Sequence, residues 1–125
     1  MKLELLTKIS VNKIEDPQAS LEPIQDMMVE GEEVQGAFAH MRDKVWFTNK
    51  RIITMDVKGV TGNRREFRSF PYSKIASFSV ETAGTLDSDS VLKIWTNGVG
   101  QFEIKFARKL DIKKVGHFVG QQILW

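Results

Sequence analysis

The segment from Lys44 to Val57 decides the fold, and it reads Lys-Val-Trp-Phe-Thr-Asn-Lys-Arg-Ile-Ile-Thr-Met-Asp-Val. On both sides of a polar centre at residues 48–51 the side chains are β-branched or aromatic, which is typical of strands. Asn49 tolerates the positive φ that a tight two-residue turn needs. The segment therefore predicts a β-hairpin with the basic pair Lys50 and Arg51 at or beside its tip.

Strand patterns continue on both sides of this hairpin. Further strands are predicted over 34–41, 64–72, 75–80, 91–96 and 101–106, because apolar and polar residues largely alternate there between turn signals, although Arg68 breaks the alternation within 64–72. The last two flank Asn97-Gly98-Val99-Gly100, which favours a second hairpin since asparagine and glycine accept positive φ. Over 75–80, alternation predicts Ala76, Phe78 and Val80 on one face. The sum is about seven strands.

Helices are predicted at both ends of the chain. Apolar residues over 1–14 partly fit helical spacing, and Pro23 at a first helical position favours a short helix that ends before Gly31. Near the carboxyl end Asp111 is placed to cap a helix, whose apolar stripe is Ile112, Val115, Val119 and Ile123. We therefore expect one globular domain with a helical N-terminal arm over 1–31 and a β-barrel with a C-terminal helix over 32–125.

Composition limits the classes of function. The 125 residues are 42% hydrophobic and 27% charged, as in an ordinary globular domain. There is no cysteine, and the two histidines, His40 and His117, lie far apart without metal-ligand spacing. No apolar run reaches the ~18 residues that span a bilayer, and the start at Met1 lacks a signal-peptide pattern. We expect a cytoplasmic protein with no cofactor and no bound metal.

Carboxylates are the remaining candidates for catalysis. Those considered are Asp43, Asp56, Glu81, Asp87 and Asp89. Their spacing places no two of them at a catalytic separation, and turn roles explain the four aspartates. We expect that the protein is not an enzyme.

Charge is unevenly distributed along the chain. Residues 1–41 carry three lysines and eight acidic residues, a net charge of −5, whereas residues 42–74 carry nine basic and three acidic residues, a net charge of +6. The candidate ligand-binding residues in this basic region are Lys50, Arg51, Lys58, Arg64, Arg65 and Arg68. They can face the phosphates of a lipid or nucleic acid, or be neutralised by the acidic N-terminal arm of the same or a neighbouring molecule.

Two tryptophans raise the question of what covers them. Trp95 shares a strand face with Val91, opposite a face that is also apolar, and Trp46 lies on a similar strand. Either a second subunit or a terminal arm of the same chain would bury such residues. Trp46, Val91 and Trp95 are therefore the candidate oligomer-interface residues.

A series of short motifs resembles the bacterial pleckstrin-homology (PH) domain family. They are Gly31-Glu32-Glu33-Val34, Arg42-Asp43, Phe47-Thr48-Asn49-Lys50-Arg51-Ile52-Ile53, Asp56, Gly59-Val60-Thr61-Gly62, Pro71-Tyr72, Ile75, Phe78-Ser79-Val80-Glu81-Thr82-Ala83-Gly84, Asp87 and Asp89. The resemblance covers roughly residues 20–124, and the first twenty residues match loosely. It implies a PH-like, partly open antiparallel barrel of about seven strands, plugged by a C-terminal helix.

The resemblance also implies how such a protein acts. It implies ring-like homo-oligomers, pentamers among them, and no enzyme activity. Eukaryotic proteins of this fold often bind phosphoinositides through basic residues in the loop between the first two strands. Here that loop offers only Arg42 and Lys44 beside Asp43, so that lipid site does not carry over. The first hypothesis is a self-assembling module that binds a protein partner, for instance by strand addition; the second is phosphate binding by the basic region.

Overall fold

The computed structural model describes residues 8–84, 88–98 and 100–124. Within them, two β-sheets pack against each other and one α-helix follows. The elements are β1 (Lys8–Val11), β2 (Lys13–Glu15), β3 (Val34–His40), β4 (Asp43–Thr48), β5 (Arg51–Lys58), β6 (Arg64–Pro71), β7 (Ile75–Glu81), β8 (Ser90–Thr96), β9 (Gly100–Phe106) and α1 (Ile112–Ile123). The predicted β-structure with a C-terminal helix is confirmed.

The sheet order shows where the barrel is joined and where it is open. The four-stranded sheet has the order β1-β9-β8-β7 and the five-stranded sheet the order β2-β3-β4-β5-β6. The N-terminal strands join the sheets on one side, because β1 pairs with β9 in parallel and β2 pairs with β3. On the other side neither sheet pairs β6 with β7 in the described part of the chain. The barrel is therefore not closed.

The expected seven strands and helical N-terminal arm are wrong. The described residues form nine strands, and the two additional ones, β1 and β2, lie in the arm. In β1, Ile9 and Val11 are buried and alternate with exposed Lys8 and Ser10, a period of two that a helical pattern over the longer segment obscured. Residues 1–7 of the predicted arm lie outside the described residues.

The short helix predicted after Pro23 is also wrong as an α-helix. Ile24 donates its backbone N–H to the carbonyl oxygen of Leu21, and Met27 donates to Ile24, each at 2.9 Å. These bonds span three residues, and only Gln25–Met27 forms one turn of 3₁₀-helix. Of the apolar residues that suggested a helix, Leu21, Ile24 and Met28 pack on the outer face of the five-stranded sheet, whereas Met27 is exposed.

The opening hairpin is confirmed as β4 and β5, but its turn differs from the expected one. Among the described residues other than glycine, only Met41 has a positive φ, at +54° in the β3–β4 turn. Asn49 therefore does not adopt positive φ. In the β8–β9 turn, the expected positive φ occurs at Gly98 and Gly100.

In β7 the predicted alternation is interrupted by a β-bulge. The register with β8 shifts between Ile75 and Ser77, so Ile75 is buried while Ala76 is exposed. Phe78 and Val80 still pack against the core. The prediction of one face is right for these two residues and wrong for Ala76.

Helix α1 begins as the sequence predicts and plugs the barrel. The carboxylate of Asp111 accepts the backbone N–H of Lys114 at 3.2 Å, which caps the helix. Val115 and Val119 are buried in the core between the sheets. At Gly116 the helix approaches β7 so closely that an added Cβ atom would lie 2.7 Å from Val80 Cγ2.

Candidate interaction surfaces

A buried ion pair fastens the segment before β3 to the tip of the β4–β5 hairpin. The Glu32 side chain has no exposed surface, and Arg51 donates to it from Nε at 2.8 Å and from Nη2 at 2.9 Å. The Thr48 hydroxyl donates to the same carboxylate at 2.7 Å, and the backbone N–H of Val29 at 3.1 Å. Four hydrogen bonds thus compensate the burial of this charge.

These contacts determine the ionisation of the cluster. Burial raises the pKa of Glu32, but the hydrogen bonds from Arg51, Thr48 and Val29 outweigh it and lower the pKa to about 2. Burial, followed by the charge of Glu32, raises the pKa of Tyr72, whose hydroxyl donates to the Thr48 carbonyl oxygen at 2.7 Å. At neutral pH Glu32 is ionised and Tyr72 is neutral, so the cluster is a structural unit.

Asn49 acts through its side chain, which connects the hairpin tip to the same N-terminal segment. Its Oδ1 accepts the backbone N–H of Glu33 at 2.8 Å, and its Nδ2 donates to the Gly31 carbonyl oxygen at 3.0 Å. The turn itself is held by Thr48, whose Oγ1 accepts the N–H groups of Lys50 and Arg51, each at 3.0 Å. The residue types at the tip are therefore explained by local structure.

The six basic residues predicted to bind a ligand do not form one cluster. Arg51 belongs to the buried pair with Glu32, and Lys50 is exposed in the turn. The register of β5 and β6 directs side chains to two faces: Lys58, Arg64 and Arg68 lie on one and Arg65 on the other.

On the first of these faces acidic side chains neutralise two of the cations. Glu66 lies 3.2 Å from Lys58 Nζ and 3.6 Å from Arg68 Nε. The hydrogen bond from Lys58, with the charge of Arg68, lowers the pKa of Glu66. Asp56 lies 3.6 Å from the same lysine nitrogen. This face carries both signs of charge.

The sequence did not indicate that Arg65 meets two other cations. Arg42, Lys44 and Arg65 line a pocket of about 220 Å³ beside Glu22. Arg42 Nη2 donates to the Gly59 carbonyl oxygen at 3.4 Å, which holds the β3–β4 and β5–β6 turns together. Lys44 is paired with Glu15 at 2.7 Å. The sequence could not predict this pocket, because it forms where the β3–β4 and β5–β6 turns meet in the folded chain.

The tryptophans predicted at an oligomer interface lie in different environments. Trp46 has no exposed surface, and its indole N–H donates to the Ser20 carbonyl oxygen at 3.1 Å, so the N-terminal segment of the same chain covers it. Trp95 and Val91 are half-buried on the outer face of the four-stranded sheet, opposite the inward-facing Leu92 and Ile94. Trp95 also contacts the Lys93 ammonium, which lies 5.9 Å from its ring centroid.

A cleft of about 720 Å³ lies where the barrel is open between β6 and β7. Phe70 and Ile75 are its buried apolar residues, and Arg68 and Lys74 are its cations. Arg68 lies over the Phe102 ring, 5.4 Å from its centroid. No sequence signal located this cleft, because it forms between β6 and β7, which follow each other in the chain but do not pair with each other.

The described residues hold neither a candidate metal site nor a membrane-spanning helix. Those residues contain no group of three or more histidine or acidic side chains arranged to hold a metal ion. None of the helices found there is long and apolar enough to cross a membrane.

The model of the bacterial PH domain family matches residues 2–123. The chain belongs to this family. The match confirms the resemblance drawn from the sequence motifs and extends it into the first twenty residues, where β1 and β2 contribute strands to the two sheets. In this bacterial PH domain, β1 and β2 join the two sheets on one side of the barrel.

Two curated relatives come from Bacillus subtilis (strain 168), and both carry the description "uncharacterized protein". YjqA is 51% identical over 77 residues, which is 62% of this chain and 62% of YjqA, less than two-thirds of that protein's length. YozO is 36% identical over 93 residues, covering 74% of this chain and 79% of YozO.

Solved structures of bacterial PH domains have the same fold. A protein with a pleckstrin-homology domain from Shewanella loihica has a TM-score of 0.81 and 31% identity, covering 88% of this chain and 95% of that chain. A pleckstrin-homology domain from Shewanella amazonensis has a TM-score of 0.73 and 33% identity, covering 89% and 90% respectively. The fold of this bacterial PH domain is thus shared with crystal structures of related sequence.

Proposed function

We propose that this bacterial PH domain is a non-catalytic cytoplasmic interaction module that self-assembles into a homo-oligomeric ring and binds a protein partner. The observation that carries the assembly is the half-exposed pair Val91 and Trp95 on the outer face of the four-stranded sheet. Large aromatic side chains in such positions are enriched at protein interfaces. The free edges of β6 and β7 support the binding of a partner.

A ring requires the Trp95 face to contact a different surface of the neighbouring molecule. Contacts between different surfaces are head-to-tail, and the surface that the Trp95 face meets on its neighbour would have to leave the β6–β7 edges available for the partner. Head-to-tail contacts close into rings when the rotation between neighbours divides a full turn. The cysteine-free sequence is compatible with the reducing cytoplasm in which we place the module.

Light scattering after size exclusion tests the assembly. We expect the wild-type protein to be an oligomer at micromolar concentration and Trp95→Asp to shift it to monomer, because a carboxylate in the contact would be desolvated without a partner. Val60→Asp is the matched control, since Val60 is fully exposed in the β5–β6 turn and should leave the assembly unchanged. A monomeric wild type, or an oligomer insensitive to Trp95→Asp, contradicts the proposal.

The second candidate function is binding of an anionic phosphate ligand, a lipid headgroup or a nucleic acid. The pocket of Arg42, Lys44 and Arg65 favours it, because converging cations attract phosphate oxygens. Sedimentation with anionic vesicles and titration with single-stranded DNA over a salt series test it. Binding that weakens with salt and is lost in Arg65→Glu supports this candidate, and absent or salt-independent binding rejects it.

A further inference from the structure

Beside the cleft, β6 has an edge with which no other strand of the described residues pairs. β6 pairs with β5 over its full length, from Arg64 opposite Lys58 to Pro71 opposite Arg51. In an antiparallel strand with one neighbour, alternate residues direct their N–H and C=O groups away from that neighbour. Since β6 ends its sheet, these groups lie along its free edge, of which residues 68–71 line the cleft. An extended chain can satisfy them by pairing with β6.

The length and the ends of this edge define the segment that fits. β6 has eight residues, so an added strand of about six residues would pair along most of it. Pro71, the last residue of β6, lines the cleft, and because it lacks an N–H group it ends the available ladder. The bulge in β7 between Ile75 and Ser77 bends that strand. The edge of β6 is therefore the more regular template of the two.

The charges of the cleft select the chemistry of the segment. Its lining contains no carboxylate, and its cations are Arg68, which Glu66 already neutralises, and Lys74, which is exposed. The buried side chains Phe70 and Ile75 form an apolar floor. A strand with acidic side chains on one face and small apolar ones on the other matches this arrangement, because successive side chains of a strand point to opposite faces.

The same lining argues against a nucleic acid in the cleft. Binding of single strands depends on aromatic faces on which bases stack. Phe70 is 8% exposed, and its ring is already packed against Phe102, with centroids 4.9 Å apart. The main-chain edge, by contrast, fits a peptide.

We propose that the cleft between β6 and β7 docks an extended acidic segment of a partner protein, which adds to the free edge of β6 as an antiparallel strand. This inference rests on the proposed function of the domain as a protein-binding module, and it names the site and the chemistry of the partner.

Titration of the full chain with two designed peptides tests the inference. The probe is a ten-residue peptide in which glutamate alternates with valine, and its counterpart has lysine in place of glutamate. We expect the glutamate peptide to bind and to slow amide hydrogen exchange over residues 64–76, and the lysine peptide to bind at least about tenfold more weakly because its ammonium groups meet that of Lys74. Amides of β3, which has neighbours on both sides, should be unaffected.

A pair of variants separates a specific site from general attraction between opposite charges. Lys74→Glu should weaken binding of the glutamate peptide by about tenfold. Lys113→Glu makes the same change of net charge at an exposed position of α1 and should leave the affinity within about twofold. Equal effects of the two variants overturn the inference.

The remaining outcomes also decide it. Failure of the glutamate peptide to bind at about 1 mM, or protection from exchange outside residues 64–76, overturns the inference. If the peptide binds but dissociates the oligomer in light scattering, a second copy of the chain occupies the cleft, and the proposed partner is wrong. A wild type that assembles without binding the peptide overturns the cleft assignment alone, whereas a monomer that binds it overturns the assembly alone.

Discussion

Glu32 is an ionised carboxylate with no exposed side-chain surface, and it defines how the N-terminal segment is attached. Its charge is sustained by donors from Arg51, Thr48 and Val29. Arg51 in turn donates from Nη2 to the Met27 carbonyl oxygen at 2.9 Å, so one guanidinium group connects a side chain and the backbone of the same segment. Arg51, which the sequence suggested as a phosphate-binding residue, therefore donates its guanidinium hydrogen bonds to groups of the same molecule.

Removing the charge of Glu32 should destabilise the fold. We expect Glu32→Gln to lower the free energy of unfolding by about 3 kcal/mol, because Arg51 would keep a partly buried charge without its counter-ion. Urea denaturation measures the change. Glu33→Gln is the control, since the Glu33 side chain is exposed and its loss should cost less than about 0.5 kcal/mol. Equal effects of the two changes would disprove the role of the buried pair.

The ionisation of Glu32 should also make the free energy of unfolding depend on pH. The pKa of Glu32 is lowered from 4.5 to about 2 in the folded protein, so its contribution is present above pH 4.5 and is lost as pH falls toward 2. We expect the wild type to lose about 3 kcal/mol over this range relative to Glu32→Gln. Urea titrations of both proteins at several pH values measure the difference. Parallel curves would contradict the lowered pKa.

At the scale of elements, helix α1 and strand β7 touch at two glycines with different surroundings. A Cβ atom at Gly116 would be 2.7 Å from Val80 Cγ2, whereas one at Gly120 would be 3.7 Å from Phe78 Cζ, an ordinary contact. Valine is stiff at χ1 and cannot easily move away. The first glycine is thus required for packing, and the second only lowers the helix propensity of α1.

Alanine substitutions at the two glycines should therefore have opposite effects. We expect Gly120→Ala to raise the free energy of unfolding by up to about 1 kcal/mol through helix propensity. Gly116→Ala should instead lower it by about 1 kcal/mol, because overpacking outweighs that gain. Thermal and urea unfolding compare the two variants. A stabilised Gly116→Ala would mean that the helix shifts freely on β7.

The sequence predicted those elements that are marked by a hydrophobic period or by turn and cap residues within the element itself. Strands β3 to β9 have sustained alternation or strong hairpin signals, and Asp111 with its following apolar stripe specified α1. The strands β1 and β2 are too short for a reliable period. Their stability comes from pairing with β9 and β3, which are distant in sequence. The cleft and the pocket of Arg42 and Arg65 depend on such tertiary proximity as well, so they were not predicted.

At the scale of the whole molecule, β1 and β2 hold the two sheets together on one side while the other side remains open. Val11 is buried and its carbonyl oxygen accepts the N–H of Ala107 at 3.0 Å, while the next residue, Asn12, donates to the Ala39 carbonyl oxygen at 2.9 Å. Adjacent residues thus bond to different sheets. The open side, with its unpaired edges, is the side to which we assign binding.

A substitution in this closure should weaken the whole fold. We expect Val11→Asp to lower the free energy of unfolding by about 3 kcal/mol or more, because it buries a carboxylate without a partner. Ile14→Asp makes a comparable change on β2, where the side chain is 68% exposed, and should cost less than about 1 kcal/mol. Urea denaturation followed by tryptophan fluorescence measures both. Similar losses would show that β1 does not hold the sheets together.

The pairing of the first strand with the last has a consequence for synthesis on the ribosome. Lys8 pairs with Glu103, so β1 leaves the exit tunnel long before its partner exists. Until β9 appears, Ile9 and Val11 lack the strand with which β1 pairs, and closure of the sheets waits until β9 has been synthesised. Such long-range pairing makes folding slow. A nascent chain of this domain thus carries an unpaired apolar strand during most of its synthesis, and this is the interval in which a chaperone would bind it.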